Sequence, residues 1–219
     1  MILQPILLSV KVALMATCLT FIIGMICAYV MSKTKIKFKT LWETVIMLPL
    51  ILPPSVLGYI LLTVIGKRGF VGALFLKYFD FQIVFTWVAC VIAATIASLP
   101  LMYQSIKSSL VNIDPIYEDA ARDLGANKLR VFMKVTLPLS LPGIISGLIL
   151  TFARSMGEFG ATLMIAGNIP GKTQTISTAI YFAVDGGNDG QAKILVLIMT
   201  IMSFTVVFGL NFWLKRGRK

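Results

Sequence analysis

Of 219 residues, 58% are hydrophobic and only 13% charged, which excludes an ordinary soluble domain, where about a quarter of residues carry charge. The formal charge of +11 would suit nucleic acid, but the basic residues sit at the ends of apolar stretches, where lysines meet anionic lipid headgroups; the expected partner is membrane lipid, with no nucleic acid. The absence of histidine removes HExxH metal sites and His-based catalytic dyads or triads.

A chain of this length holds five or six membrane helices of about 20 residues each. The apolar runs predict an all-α, polytopic membrane protein with five spans: 6–31, 41–65, 83–106, 137–166 and 194–214. Span one carries Lys11 near its start and no small-residue cleavage site before Lys33, so it is expected as a retained helix. Span two contains Pro49, Pro53 and Pro54 in MLPLILPPSVLGY. Each proline removes a backbone donor and crowds the preceding turn. Such a break is either a structural kink or a wall of a water-lined path, since freed carbonyls at membrane depth need neighbours or water.

Between spans three and four lies the longest polar insert, 107–136, with a charged run from Asp114 to Lys134. Its core reads Glu118-Asp119-Ala120-Ala121-x3-Gly125-x9-Val135-x-Leu137-Pro138. The pattern predicts a short amphipathic helix ended by Gly125, where a left-handed C-cap suits glycine, then a proline-led return into apolar sequence. In span four, Gly143 and Gly147 have the spacing that lets helices pack closely. The same span holds Arg154 and Glu158 in FARSMGEFGAT. A helix starting near Pro142 would place Arg154 about 18 Å along it, with Glu158 one turn on, on the same face. A lone central arginine costs at least ~2.5–3.5 kcal/mol. The two are therefore either an internal ion pair or a pathway or gate site, with the arginine able to attract an anion.

Cys18, Cys27 and Cys90 all lie inside spans, without metal-ligand spacing, and read as small packing residues. Lysine and arginine orient the spans. Thirteen fall on the side of 32–40, 107–136 and the tail 215–219, against five on the other side. The positive-inside rule puts the amino terminus outside and the 107–136 loop and tail in the cytoplasm.

The insert resembles the cytoplasmic coupling loop of ABC importer permeases. LPLILPPSVLGYILL, GKRGFVG, LPLMYQSIKSSL, TLPLSLPGIISG and FARSMGEFGATLMIAGNIPGKTQTISTAIY, in that order, resemble the molybdate branch of that family. The family pattern begins its loop with Glu, and that place falls here on Asp119, with Glu118 just before it. Sulfate permeases share much of span four, leaving sulfate or thiosulfate as the alternative substrate. The resemblance implies a homodimer in the bacterial plasma membrane, two cytoplasmic ABC ATPase subunits and an external substrate-binding protein. It also implies an ATPase-coupling role for Glu118, Asp119, Ala120, Ala121, Gly125, Val135, Leu137 and Pro138; the candidate pathway or gate residues, Arg154, Glu158, Pro53 and Pro54, rest on the intramembrane charges and the proline break themselves. ATP and magnesium would be bound by the ATPase; no catalytic site, cofactor or metal is expected in this chain. Rival classes fit poorly. An intramembrane Ser/Lys enzyme has only Lys11 as a candidate base, and a stand-alone channel or secondary transporter would be expected to show internal repeats.

Overall fold

The computed structural model describes residues 2–34 and 37–216, with the backbone alone at 210, 211 and 213–216. Lys35, Arg218 and Lys219, used above to orient the chain, lie outside the described residues. Within them every regular element is a helix. Four are long and apolar enough to cross a membrane: Leu3–Lys33 (α1), Trp87–Val111 (α5), the continuous rod Lys128–Met156, and α11 (Asp189–Arg216). The expected second span is instead a bent pair, α2 (Lys39–Ile51) and α3 (Pro54–Ile65), turned by 115°, which is either a broken span or a re-entrant loop.

Proline sets that bend. Pro53 is extended at φ −53° and ψ 138°, and Pro54 opens α3 at its first position, where a missing N–H costs nothing. Pro49 and Pro100 instead sit inside α2 and α5.

The centre of the molecule is α5, packed against α1 and α8 (Leu137–Met156). Its buried face is built from small residues, Ala89, Cys90, Ala93, Ala94, Ala97 and Ser98, so neighbouring backbones approach closely. Gly147 shows how closely: a Cβ there would lie 2.9 Å from the Met102 sulfur. Gly143 leaves no room for a methyl against Ser109 of α5. Gly24 plays the same part between α1 and α5, with the Met102 Cγ 2.7 Å from where its Cβ would be. α11 is exposed along most of its length, with Leu195 fully buried.

Several boundaries differ from the sequence expectation. The stretches 66–82 and 167–193, read as polar connections, contain short apolar helices α4 (Phe70–Phe79) and α10 (Ile176–Asp185). Span three starts at Trp87 and runs five residues past Ile106 to Val111. Span four begins earlier: α7 (Lys128–Val131) passes through a π turn, Phe132–Thr136, directly into α8. It is also not one helix to Ala166, because it stops at Met156 and resumes as α9 (Gly160–Ala166).

Candidate functional site

The polar insert folds into a compact unit around α6 (Pro115–Asp123). Asp114 caps it: the Ile116 N–H donates to Asp114 Oδ1 at 3.0 Å, satisfying one of the orphan donors of the first turn. Pro115 occupies the first helical position. At the other end Gly125 has φ +83°. Its N–H donates to Arg122 O at 2.9 Å, and the Ala126 N–H donates to Ala121 O at 3.0 Å. That pair of bonds is a Schellman ending, so the helix stops where the glycine predicts. Asn127 then caps α7, accepting from the Arg130 N–H at 2.9 Å.

The carboxylate that holds this unit is Glu118, not Asp119. Glu118 is only 4% exposed. Lys33 Nζ, at the end of α1, donates to its Oε1 at 2.7 Å. Thr136 Oγ1, in the π turn, donates to the same oxygen at 2.8 Å. Arg122 completes the set on Oε2 at 3.2 Å. Burial pushes the Glu118 carboxyl up, but the bonds from Lys33 and Thr136 and the charges of Lys33 and Arg122 outweigh it and hold it below the usual carboxylate range. Asp119 points outward, 62% of its side chain exposed, and pairs with Arg122 at 2.5 Å. Of the two adjacent carboxylates in the expected set, Glu118 is the one on the helical face turned toward α1 and the π turn.

The rest of the predicted coupling set falls around this lock. Ala120 and Gly125 are exposed, and Ala121 is half-buried. Val135 and Leu137 flank Thr136 and are half-buried, while Pro138 is exposed near the start of α8. The outer surface carries large apolar side chains: Ile116, Tyr117 and Leu124, the last 90% exposed. Sequence reasoning missed Lys33 as a partner, since it is 85 residues from Glu118, and missed the Lys107–Glu43 ion pair at 2.7 Å between α5 and α2. Lys33 had counted only toward topology.

At the far end of α8 the second predicted set assembles. Arg154 is in the last turn, about 26 Å from Leu137 at 1.5 Å per residue, because the helix starts before Pro142. Glu158 lies beyond the helix end and is 3% exposed. The expected pair forms, Arg154 Nη1 donating to Glu158 Oε2 at 2.8 Å, but across a break rather than along a helical face. The other oxygen accepts the Ala161 N–H at 3.0 Å, which caps α9. One carboxylate therefore joins the end of one helix to the start of the next.

The structure also brings the proline break to this place. A Cβ on Gly160 would lie 2.7 Å from Pro54 Cβ, and one on Gly58 2.7 Å from Met164 Cβ. α9 rests directly on α3, with Pro53 and Pro54 themselves exposed. Arg154, Glu158 and Pro54 thus surround one junction, whereas the α6 unit stands at the other end of α8. No group of three or more His, Cys, Asp or Glu with metal-binding geometry occurs among the described residues.

Comparison with known proteins places this geometry in a family. The family model described as "Binding-protein-dependent transport system inner membrane component" matches residues 20–218. The chain belongs to that family. It is 41% identical to the molybdenum transport system permease protein ModB of Escherichia coli (strain K12), over 97% of this chain and 93% of that protein. It is 45% identical to YvgM of Bacillus subtilis (strain 168), whose name assigns it provisionally to molybdenum transport, over 93% of this chain and 90% of that protein. The sulfate transport system permease protein CysT of Salmonella typhimurium is more distant, 33% identical over 91% of this chain and 72% of its own length. Among solved structures, an inward-facing MetNI methionine ABC transporter chain has the same fold, with a TM-score of 0.76, 16% identity, and 98% and 95% of the two chains covered.

Proposed function

We propose that this chain is the membrane permease subunit of an ATP-driven importer for molybdate or a similar tetrahedral oxyanion such as tungstate, working by alternating access. In this reading two copies form the pore, two cytoplasmic ABC ATPases dock on the α6 units, and an external binding protein delivers the anion. The amino terminus lies outside, and the 107–136 region and the carboxy terminus lie in the cytoplasm of a bacterial cell.

The observation that carries the reading is the built α6 unit. It is a capped helix, fixed from beneath by Glu118 to two membrane helices and presenting Ile116, Tyr117 and Leu124 outward. A helix that is rigid toward the membrane and apolar toward water suits a partner that pushes on it. Closure of the ATPases would move α6, and Glu118 would pass the motion to α1 through Lys33 and to α8 through Thr136. ATP and magnesium belong to the partner; this chain contributes the lever and the path. Selectivity can reside in the external protein, so this chain need not bind the anion tightly.

Molybdate is favoured over sulfate by the higher identity to the molybdenum-named relatives. The test is ATP-dependent uptake by the four-subunit transporter with its cognate binding protein in proteoliposomes. Molybdate should be taken up, tungstate should compete, and sulfate in tenfold excess should not. Uptake of sulfate with indifference to molybdate would assign the chain to the alternative substrate.

A further inference from the structure

A cavity outside the two sites lies between the end of α1 and the π-turn rod. It has a volume of about 430 Å³ and is lined by Met25, Ile26, Tyr29, Val30, Leu129 and Phe132, with Lys128 beside them. The edge-on contact of Tyr29 with Phe132, ring centroids 4.9 Å apart, ties the two walls together. Lys128 is the sole charged lining residue; it is exposed, and no acidic side chain pairs with it among the described residues.

We infer that this groove binds one anionic phospholipid of the cytoplasmic leaflet, its phosphate on Lys128 and an acyl chain along Met25, Ile26 and Phe132. The chemistry of the lining decides the occupant. A soluble metabolite would need several polar partners, and the walls offer hydrocarbon and one ammonium. An amphiphile with an anionic head and an apolar tail matches both. Position agrees: Val30 is within a turn of the Lys33 end of α1, and the lining reaches back to Met25, about 8 Å further along the axis. The groove therefore starts at the membrane boundary and runs into the leaflet. Phosphatidylglycerol-type lipids are attracted to basic residues at that level by about a fivefold preference per lysine.

The assignment to the cytoplasmic leaflet rests on the orientation proposed above, but binding itself does not. The experiment uses the assembled transporter in mixed micelles with phosphatidylglycerol or phosphatidylcholine bearing a photoactivatable acyl chain, and peptide mapping of the adducts. Phosphatidylglycerol should label the peptides containing Met25–Val30 and Lys128–Phe132 about fivefold more than phosphatidylcholine. Lys128→Gln should abolish that preference, and Ile26→Trp, which fills the groove from a lipid-exposed position, should reduce labelling by both lipids. Equal labelling of the wild type by the two lipids would overturn the proposal, as would a preference that survives Lys128→Gln. Absence of groove labelling in the assembled transporter would show that a second copy or the ATPase covers this face, and would equally overturn it. Orientation is checked separately in intact cells with Cys18, Cys27 and Cys90 replaced: Ser108→Cys, at an exposed position, should resist an impermeant thiol reagent and Asn188→Cys should react. The reverse pattern removes the cytoplasmic leaflet while leaving the micelle result standing.

Discussion

A glutamate is buried at each end of α8, and the two are held in different ways. Glu118 collects donors from three places: Lys33 at the end of α1, Thr136 in the π turn and Arg122 in its own helix. Glu158 collects them locally, from Arg154 four residues back and the Ala161 N–H three residues on. The first is a tertiary rivet between elements far apart in sequence; the second is a staple across one helix break. A rivet transmits displacement between bodies. A staple keeps two helices in register while α9 stays seated on α3 through Gly160, Pro54, Gly58 and Met164. Under the proposed function, transmission belongs to the α6 end and shape-holding to the other.

The largest effect on transport should come from breaking the rivet. Glu118→Ala leaves Lys33 and Thr136 without their acceptor, at a cost of about 2–3 kcal/mol given charged hydrogen bonds at a partly solvated site. Transport should fall at least tenfold at unchanged membrane abundance, with the ATPase still hydrolysing ATP but no longer answering to loaded binding protein. Acid should loosen the same rivet. Because the folded Glu118 carboxyl lies below its ordinary value of 4.5, its contribution is complete above that pH and is lost as pH falls through the lower folded value. Hydrogen exchange of the α6 amides should therefore stay flat from pH 8 to 5, after correction for intrinsic rates, and rise only below about 4.5. A rise centred near pH 6 would contradict the assignment.

The staple should behave as a compensated pair. Arg154→Met leaves Glu158 buried without its cation, a change on the order of 3 kcal/mol, and should lower membrane abundance severalfold. Adding Glu158→Gln removes the stranded charge while keeping a carbonyl to accept from Ala161, so abundance should recover. If the pair only holds shape, transport per assembled transporter recovers with it. A double variant that assembles fully yet moves no anion would give Arg154 a direct part in the path and erase the contrast between the two ends.

Gly125 sets the smallest of these effects. A Cβ there would meet nothing within 4 Å, so the only obstacle to substitution is the backbone at φ +83°. Gly125→Val should cost about 1–2 kcal/mol and weaken ATPase association, whereas Gly125→Asn, more tolerant of the left-handed region, should be milder. Equal damage from both would mean that space, not backbone conformation, is limiting at this position.

How much of this was legible in the sequence varied with range. Four apolar crossings, the Pro53–Pro54 bend, the close contacts of Gly143 and Gly147 and the end of α6 at Gly125 follow from local rules, and the structure has them. The Lys33–Glu118 bond does not, because no periodicity links residues 85 positions apart; one residue of helical phase, about 100°, decides that Glu118 faces inward and Asp119 outward. α4 and α10, ten residues each, were hidden because glycine and charge bracket apolar stretches too short to cross a membrane. The sequence pattern also ran 137–166 as one helix. Gly157 closes α8, and Glu158 uses the carboxylate expected along a helical face to begin α9 instead.

The central claim, that α6 is the surface through which ATP hydrolysis reaches the membrane helices, is tested most directly by a photoreactive amino acid at Leu124, the most exposed apolar side chain of that unit. In the assembled, transport-active complex, irradiation should join this chain to the ATPase subunit. The yield should change between nucleotide-free and ATP-trapped states. The same residue placed at Tyr181, beside Phe159 near the α8–α9 break, should give no ATPase adduct. An ATPase adduct at Tyr181 and none at Leu124 would contradict the account.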